Sequence, residues 1–375
     1  MYPLRILLRQ PVRTALTIGG VALCVVLMLF LLSVYRGVAE GSVEYIVKNR
    51  ADLWVLRKNT TNILRGSSLL TTAHGIVLRQ TPGIRQVAPV LLTLVTVSTG
   101  EGAATLFVAG FDPATSPGGA GKAASAGGPP AICEGRNVAA DSEIVLDRCF
   151  ARKHGRAVGD VIRMHDDRLT VVGFSSGTNA FVIQYGFTTL HRAQMLTGFP
   201  GIVTCYLVAL EPGVDRDSMR TALADDLPGV EVFDHATFLQ NNVREMESGF
   251  LPILYAIAAI GTVVLTSILS LLLAVIILES RKDFAVMRAI GSPDRFLRGI
   301  IFLQALLLSA GGTIVASLAF PPLASLIEWL SPEISTRASL LQVCGVSGVV
   351  LGVTLFSAWS TMRRLRSIYP LEAFA

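Results

Sequence analysis

Four uninterrupted apolar stretches, each long enough to cross a hydrocarbon layer as a helix, constrain this chain more than any other feature. A bilayer core about 30 Å thick takes roughly 20 helical residues, and residues 15–36, 251–278, 299–327 and 341–362 all meet that length. The second is long enough to require tilt or emergence from the bilayer. The first ends Ser33-Val34-Tyr35-Arg36, with no small-residue cleavage site, and reads as a retained anchor. With 51% hydrophobic and 16% charged residues and a mean hydropathy of +0.57, the chain is too apolar for an ordinary soluble fold. Residues 37–250 nevertheless have the composition of a soluble domain. The layout predicts an α+β membrane protein with four transmembrane helices, one and then three, and a large two-lobed α+β extracytoplasmic domain between the first and second.

Orientation follows from the basic residues flanking the spans. Arg5, Arg9 and Arg13 precede the first; Arg281, Lys282, Arg288, Arg295 and Arg298 lie between the second and third; Arg363, Arg364 and Arg366 follow the fourth. Both termini are therefore expected in the cytoplasm of a bacterial cell, with the chain multi-pass in the inner membrane. Residues 37–250 carry 19 basic against 21 acidic groups, so the pI near 9.1 reflects topology and not a nucleic-acid surface. Residues 1–14 place Leu4, Leu7 and Leu8 beside Arg5 and Arg9 before Pro11. Two readings stay open for them: an amphipathic strut along the cytoplasmic interface, or an ordinary basic flank.

Within the extracytoplasmic part, Asp52 to Leu56 reads as a strand, Ser68 to Gln80 as a helix, and Gln86 to Ser98 and Ala104 to Phe111 as a hairpin. A second set follows: strand Thr204 to Leu210, helix Asp215 to Leu227, strand Val230 to Phe233. The joints Thr81-Pro82-Gly83-Ile84 and Leu227-Pro228-Gly229-Val230 are alike, each a helix stop before an apolar strand. Residues 50–112 and 203–247 thus suit one split βαβ lobe, and 113–202 an insertion. Residues 113–131, rich in Gly, Pro, Ala and Ser, predict a mobile loop. Beyond it, Glu143 to Leu146, Val161 to Met164, Leu169 to Phe174 and Ala180 to Phe187 read as strands of a second, β-rich lobe.

The sequence offers little catalytic chemistry. Gly118-Gly119-Ala120-Gly121-Lys122 lacks the spacing of a phosphate loop, with Ser116 and Ala123 at the positions that matter. His74, His154, His165, His191 and His235 have no zinc-pair spacing, and His165-Asp166-Asp167 reads as a hairpin turn. No Gly-x-Ser-x-Gly elbow occurs. Spans two to four hold almost no ionisable group, Glu328 sitting at an outer rim, which argues against an ion-driven carrier and a hydrophilic pore. No catalytic residue, metal or cofactor is expected in this chain. Cys24 and Cys344 lie in spans; Cys133, Cys149 and Cys205 lie on the oxidising side, where a Cys133–Cys149 disulfide is one reading.

Energy can enter through residues 279–298. Glu279 to Ile290 suits a helix, with Phe284, Met287 and Ile290 as an apolar ridge, Arg281 and Arg288 at its rim, Gly291 as a stop, Ser292 as N-cap and Pro293 opening the next helix. Such a hook could insert into a partner's groove; a basic turn that sets topology would need neither ridge nor capped second helix.

At these residues the chain resembles the FtsX-like permease family, the membrane subunits of MacB-type (type VII) ABC transporters. The family pattern E-R-x-x-E-x-A-x-x-R-A-x-G is similar to Glu279, Arg281, Asp283, Ala285, Arg288, Ala289 and Gly291, with Asp283 for Glu and an inserted Ser280. Leu8-Arg9-Gln10-Pro11-Val12-Arg13-Thr14 resembles the family's R-N-x-x-R-[ST] start, and Tyr369-Pro370-Leu371-Glu372-Ala373-Phe374 its P-x-x-A-[LF] ending. Spacing within the layout also resembles the DevC-type glycolipid exporters. The resemblance implies a permease pair, homodimeric or heterodimeric, over two separate cytoplasmic ABC ATPase subunits that hold ATP and magnesium. It also implies mechanotransmission in place of a tunnel, and export of a hydrophobic or amphipathic substrate such as a drug, glycolipid or lipoprotein. Under that reading a periplasmic adaptor and an outer-membrane channel complete the partners, with the lipid bilayer and no nucleic acid. The alternative is a non-transporting relay that activates a cell-envelope enzyme. The remaining segments, 328–340 and 363–375, read as a short outer loop and a cytoplasmic tail.

Overall fold

The computed structural model of the protein describes residues 11–49, 51–63, 68–98, 102–115, 126–180, 183–279, 292–330 and 339–365. The chain divides into two compact units. One holds residues 1–35, 250–330 and 336–375, the other residues 36–249 with 331–335.

The second unit is built on an eleven-stranded sheet. Its strands are β1 (Leu53–Arg57), β3 (Ile84–Ser98), β4 (Ala103–Phe111), β5 (Ile132–Gly135), β6 (Glu143–Asp147), β7 (Val161–Met164), β8 (Asp167–Ser175), β9 (Asn179–Ala180), β10 (Ile183–Thr189), β12 (Cys205–Leu210) and β13 (Val230–Asp234). A separate two-stranded ribbon pairs β2 (Leu70–Thr71) with β11 (Ile202–Val203). The long path runs β13-β1-β12-β3-β4-β10-β6-β8-β5, with β7 bridging β3 and β8.

At one end, β1 lies antiparallel between β13 and β12, and β12 antiparallel to β3. Helix α2 (Thr72–Gln80) joins β1 to β3 and helix α5 (Arg216–Asp226) joins β12 to β13, giving two interleaved split βαβ units. The first four residues of β1, Leu53 to Leu56, are all fully buried, as a strand covered on both faces requires. Leu53 and Val55 pack beneath Leu78 of α2 and Leu223 of α5, while Trp54 and Leu56 face the opposite core. The close seating of α2 depends on Gly75, where an added Cβ would lie 2.7 Å from the Tyr206 ring. Asp215 caps α5 by accepting from the Ser218 N–H at 3.0 Å.

The strands of the expected insertion belong to the same sheet. β10 runs parallel to β4, Gln184 to Thr189 beside Leu106 to Phe111, and β6 runs parallel to β8. Two helices there went unpredicted: α3 (Arg148–Lys153), capped by Asp147, and α4 (Leu190–Thr197), capped by Thr189 and closed by Gly198. The 113–131 segment also differs from expectation at both ends. Residues Pro113–Thr115 form a 3₁₀ turn, and Gly127, Gly128 and Pro129 are buried; residues 116–125, including the Gly118–Lys122 run, lie outside the described residues.

The long helices are α1 (Pro11–Lys48), α6 (His235–Glu279), α7 (Asp294–Leu330) and α8 (Leu340–Leu365). Among the described residues, Thr14–Ala39, Gly299–Leu330 and Leu340–Trp359 are long and apolar enough to cross a membrane. Helix α6 supplies a fourth if its two arms, His235–Gly249 and Leu251–Val264, count as one span. Pro252, which removes a helical hydrogen bond, lies inside this helix. In the membrane-type unit α1 and α7 cross closely: a Cβ on Gly312 would lie 2.5 Å from Val21 Cγ1. Val21, Val25 and Leu29 pack there with Ala316, Phe320 and Val350.

Candidate functional site

Of the residues expected to meet a partner ATPase, Glu279 closes α6. Arg281, Asp283, Phe284, Met287, Arg288, Ile290 and Gly291 lie outside the described residues, as do the N-terminal segment 1–10 and the tail 366–375. On the far side of that gap Pro293 precedes α7, and its carbonyl accepts from the Phe296 N–H at 2.9 Å, the turn that starts the helix.

The site that the sequence did not reveal is where α1 ends and α6 begins, in the core of the β-domain. Tyr45 and Ile46 of α1 are fully buried beside Trp54, Leu56, Phe187 and Cys205. The Tyr45 ring stacks on Tyr185 with centroids 5.2 Å apart, and its hydroxyl donates to the Gly127 carbonyl at 2.7 Å. Asn49 completes the clamp: its Oδ1 accepts from the Gly127 N–H at 2.9 Å, and its Nδ2 donates to the Tyr45 carbonyl at 3.0 Å. Gly127 sits at φ +81°, a backbone region that favours glycine, with room for no Cβ because Val90 Cγ2 would lie 2.3 Å away. Helix α1 is thus tied to both main-chain polar groups of one buried residue, Gly127.

Helix α6 is tied in the same core. Phe238, fully buried, stacks on Trp54 at 4.7 Å and lies 5.9 Å from Phe233. One turn later Asn242, 1% exposed, accepts from the Ile63 N–H at 3.1 Å and donates to the Phe238 carbonyl at 2.8 Å. Each helix therefore uses an aromatic followed four residues later by asparagine, the aromatic for area and the amide for direction. Burial raises Tyr45 and Tyr185 above the ordinary tyrosine range and pushes the Cys205 thiol up to about 12. These groups stay neutral at physiological pH and serve as packing.

No disulfide links Cys133 to Cys149. All five cysteines are thiols, the Cys133 Sγ donating to the Phe174 carbonyl at 3.2 Å, while Cys149 sits in the first turn of α3. Among the described residues no three His, Cys, Asp or Glu side chains gather as a metal site. His165 forms the turn between β7 and β8 at φ +53°.

A cavity of about 550 Å³ opens beside β3, lined by Leu91 to Val95, Phe107, Leu69, Leu196, Phe199 and Ile202, with Ser68, Thr197, Thr204 and His165 among them. Polar and apolar groups alternate along its wall, and it is open to solvent on one side.

Comparison with known proteins gives a consistent result. Residues 14–226 match the family model for the MacB-like periplasmic core domain, and residues 255–370 match that of the FtsX-like permease C-terminal region. The chain is 24% identical to an uncharacterized ABC transporter permease found in two strains of Mycobacterium tuberculosis, over 96% of this chain and 95% of theirs. Among solved structures it is similar to the periplasmic region of MacB from Actinobacillus actinomycetemcomitans (12% identity, TM-score 0.39, 50% of this chain and 90% of that one). It is also similar to the extracellular domain of YknZ, a noncanonic ABC-type transporter from Gram-positive bacteria (12% identity, TM-score 0.36, 49% and 99%).

Proposed function

This chain belongs to the FtsX-like permease family, carrying a MacB-like periplasmic core domain and the character of an ABC transporter permease, and from that premise we propose that it converts ATP hydrolysis by a partner into movement of its periplasmic domain. A permease of this kind implies a separate ATPase subunit, the permease itself being typically non-catalytic. The observation that carries the mechanical reading is the paired anchorage: α1 through Tyr45 and Asn49, and α6 through Phe238 and Asn242, are held in hydrogen-bonded, buried positions of the β-domain core. A helix held in this way transmits displacement to the domain instead of sliding past it, because packed interiors deform in discrete steps.

In this reading Phe284, Met287 and Ile290 insert as a ridge into a groove of the ATPase, with Glu279, Arg281, Asp283 and Arg288 around it and Gly291 ending the hook. The ATPase holds ATP and magnesium, two permease copies work together, and four spans carry the motion through the inner membrane with both termini cytoplasmic. The substrate class is hydrophobic or amphipathic, as the resemblance to the family implies, and an adaptor and outer-membrane channel are the natural downstream partners.

The test is a spin label at Asp217, an exposed position on α5, in the reconstituted complex of full-length permease and ATPase. ATP should change the distance between the labels on the two copies, and trapping the ATPase with vanadate should hold the changed distance. A distance distribution indifferent to nucleotide would overturn mechanotransmission. Movement without release of any tested amphipathic substrate would favour the envelope-enzyme relay.

A further inference from the structure

Among the described residues, no strand pairs with one main-chain edge of the middle of β3. Along that edge β3 pairs with β12 only as far as Val90 opposite Cys205, and pairing resumes only where Val97 and Ser98 meet Met164 and Arg163 of β7. The gap opens because the chain before Thr204 turns away: Val203 and Ile202 pair with β2 in the separate ribbon. Thr204 closes its own end with a side chain, its Oγ1 accepting from the Leu92 N–H at 2.9 Å and donating to the Leu92 carbonyl at 3.3 Å.

Antiparallel pairing alternates, so that every second residue turns both main-chain groups to the same edge. The groups of Leu94 and Thr96 therefore follow those of Leu92 onto this side, and among the described residues no strand pairs with them. The cavity described above lies along this stretch, and its mouth exposes large apolar side chains: Leu94 is 56% exposed, Phe199 60% and Leu69 47%. At the β7 end, Arg163 and Arg168 stand directly opposite each other across β7 and β8, both exposed, while the nearby Asp167 is engaged by Arg192 at 2.9 Å. Like charges in register destabilise a strand pair, and an incoming carboxylate would relieve them.

We infer that this edge binds an extended peptide segment of a partner protein as an added strand, apolar along Leu94 and acidic at Arg163 and Arg168. Alternating donors and acceptors at strand spacing recognise another main chain. A lipid or a drug-like hydrocarbon would fill the cavity but offer the main-chain groups of Leu94 and Thr96 no donors and acceptors at strand spacing. Charge at one end fixes the register of the added strand, and the apolar groups of the wall select alternate side chains. The inference stands apart from ATP coupling and holds for the resting protein.

The test uses the full chain in lipid nanodiscs and fluorescence anisotropy of a labelled synthetic hexapeptide, Val-Thr-Val-Leu-Asp-Glu. Saturable binding is expected below about 1 mM, and N-methylation of alternate amides on one side of the peptide, which deletes main-chain donors, should weaken it at least about tenfold. Charge reversal by Arg163→Glu with Arg168→Glu should weaken the acidic peptide by about tenfold and improve one ending in Lys-Lys. Thr96→Pro, which deletes an edge N–H, should abolish binding with an unchanged circular dichroism spectrum. If that variant fails to fold, the methylated peptides decide alone. Absence of saturable binding, or binding indifferent to both methylation and charge reversal, overturns the inference. Displacement by short-chain phospholipid together with indifference to methylation would assign the cavity to lipid and equally overturn it.

Discussion

Replacing Asn49 with Ala removes two hydrogen bonds at the clamp, and the more consequential one is the 2.9 Å bond from the Gly127 N–H. Asn49 is 6% exposed and Gly127 is buried, so water cannot replace the lost acceptor without local opening. An orphaned buried donor costs about 1–3 kcal/mol, which corresponds to a roughly 5- to 150-fold larger population of locally opened states. Hydrogen–deuterium exchange of the full chain in nanodiscs reads this directly. Peptides covering residues 126–131 should exchange faster by that factor in Asn49→Ala, while peptides from β12 and β13 stay unchanged. Tyr45→Phe should give a comparable effect by orphaning the Gly127 carbonyl. The double variant should fall short of the sum, because both side chains hold the backbone of one residue, Gly127. In the complex with the ATPase, ATP turnover should persist while coupled work declines. Exchange at residues 126–131 that is unaffected by Asn49→Ala would refute the clamp as an energetic link, whatever its geometry.

Other outcomes follow from the same structure. Glu143, held down to about 2 chiefly by Arg136 and also by the Ala139 and Ala140 N–H groups, has a folded pKa below its ordinary 4.5. Its contribution to stability is complete above that ordinary value and is lost as pH falls toward about 2, so Glu143→Gln should flatten the acid limb of the thermal midpoint measured across that window. Cys205, fully buried with its thiol pushed up to about 12, should resist maleimide in the native chain because burial both shields it and disfavours its thiolate, while exposed Cys133 labels readily; mass spectrometry of the labelled native chain measures both. Gly312→Leu should force α1 from α7, since even a Cβ would lie 2.5 Å from Val21, and should cost about 1–3 kcal/mol in thermal stability with Gly348→Leu, at an open position, as the neutral control.

Local pattern made part of this fold legible. β1, β3, β4, β12 and β13 lie within about two residues of their sequence-derived positions, because buried strands of Val, Leu and aromatic residues bounded by Pro-Gly joints carry their signal within a few residues. The pairing of β10 with β4 could not be read, since Gln184 and Leu106 meet by tertiary contact alone. Helices α3 and α4 span six and eight residues, too short for an amphipathic period to stand out. The anchors were hidden for a different reason. Tyr45 and Asn49 lie between the first apolar span and the first strand with no periodic pattern to single them out, and Gly127 belongs to a tract too poor in side chains to build a core by itself, when its lack of a side chain is what lets its backbone enter one. The hook from Glu279 to Gly291, conversely, rests on sequence pattern alone.

The most direct test of ATP-driven coupling is affinity capture of the tagged full-length permease from mildly solubilised membranes, comparing wild type with Met287→Asp. The account predicts that an ABC ATPase co-purifies with wild type and is lost from the variant, while the variant remains inserted and its periplasmic domain keeps the native protease pattern. Equal recovery of the ATPase with both proteins would contradict the hook as the coupling site. Recovery with neither, across several mild detergents, would contradict the ATPase partnership on which the account depends.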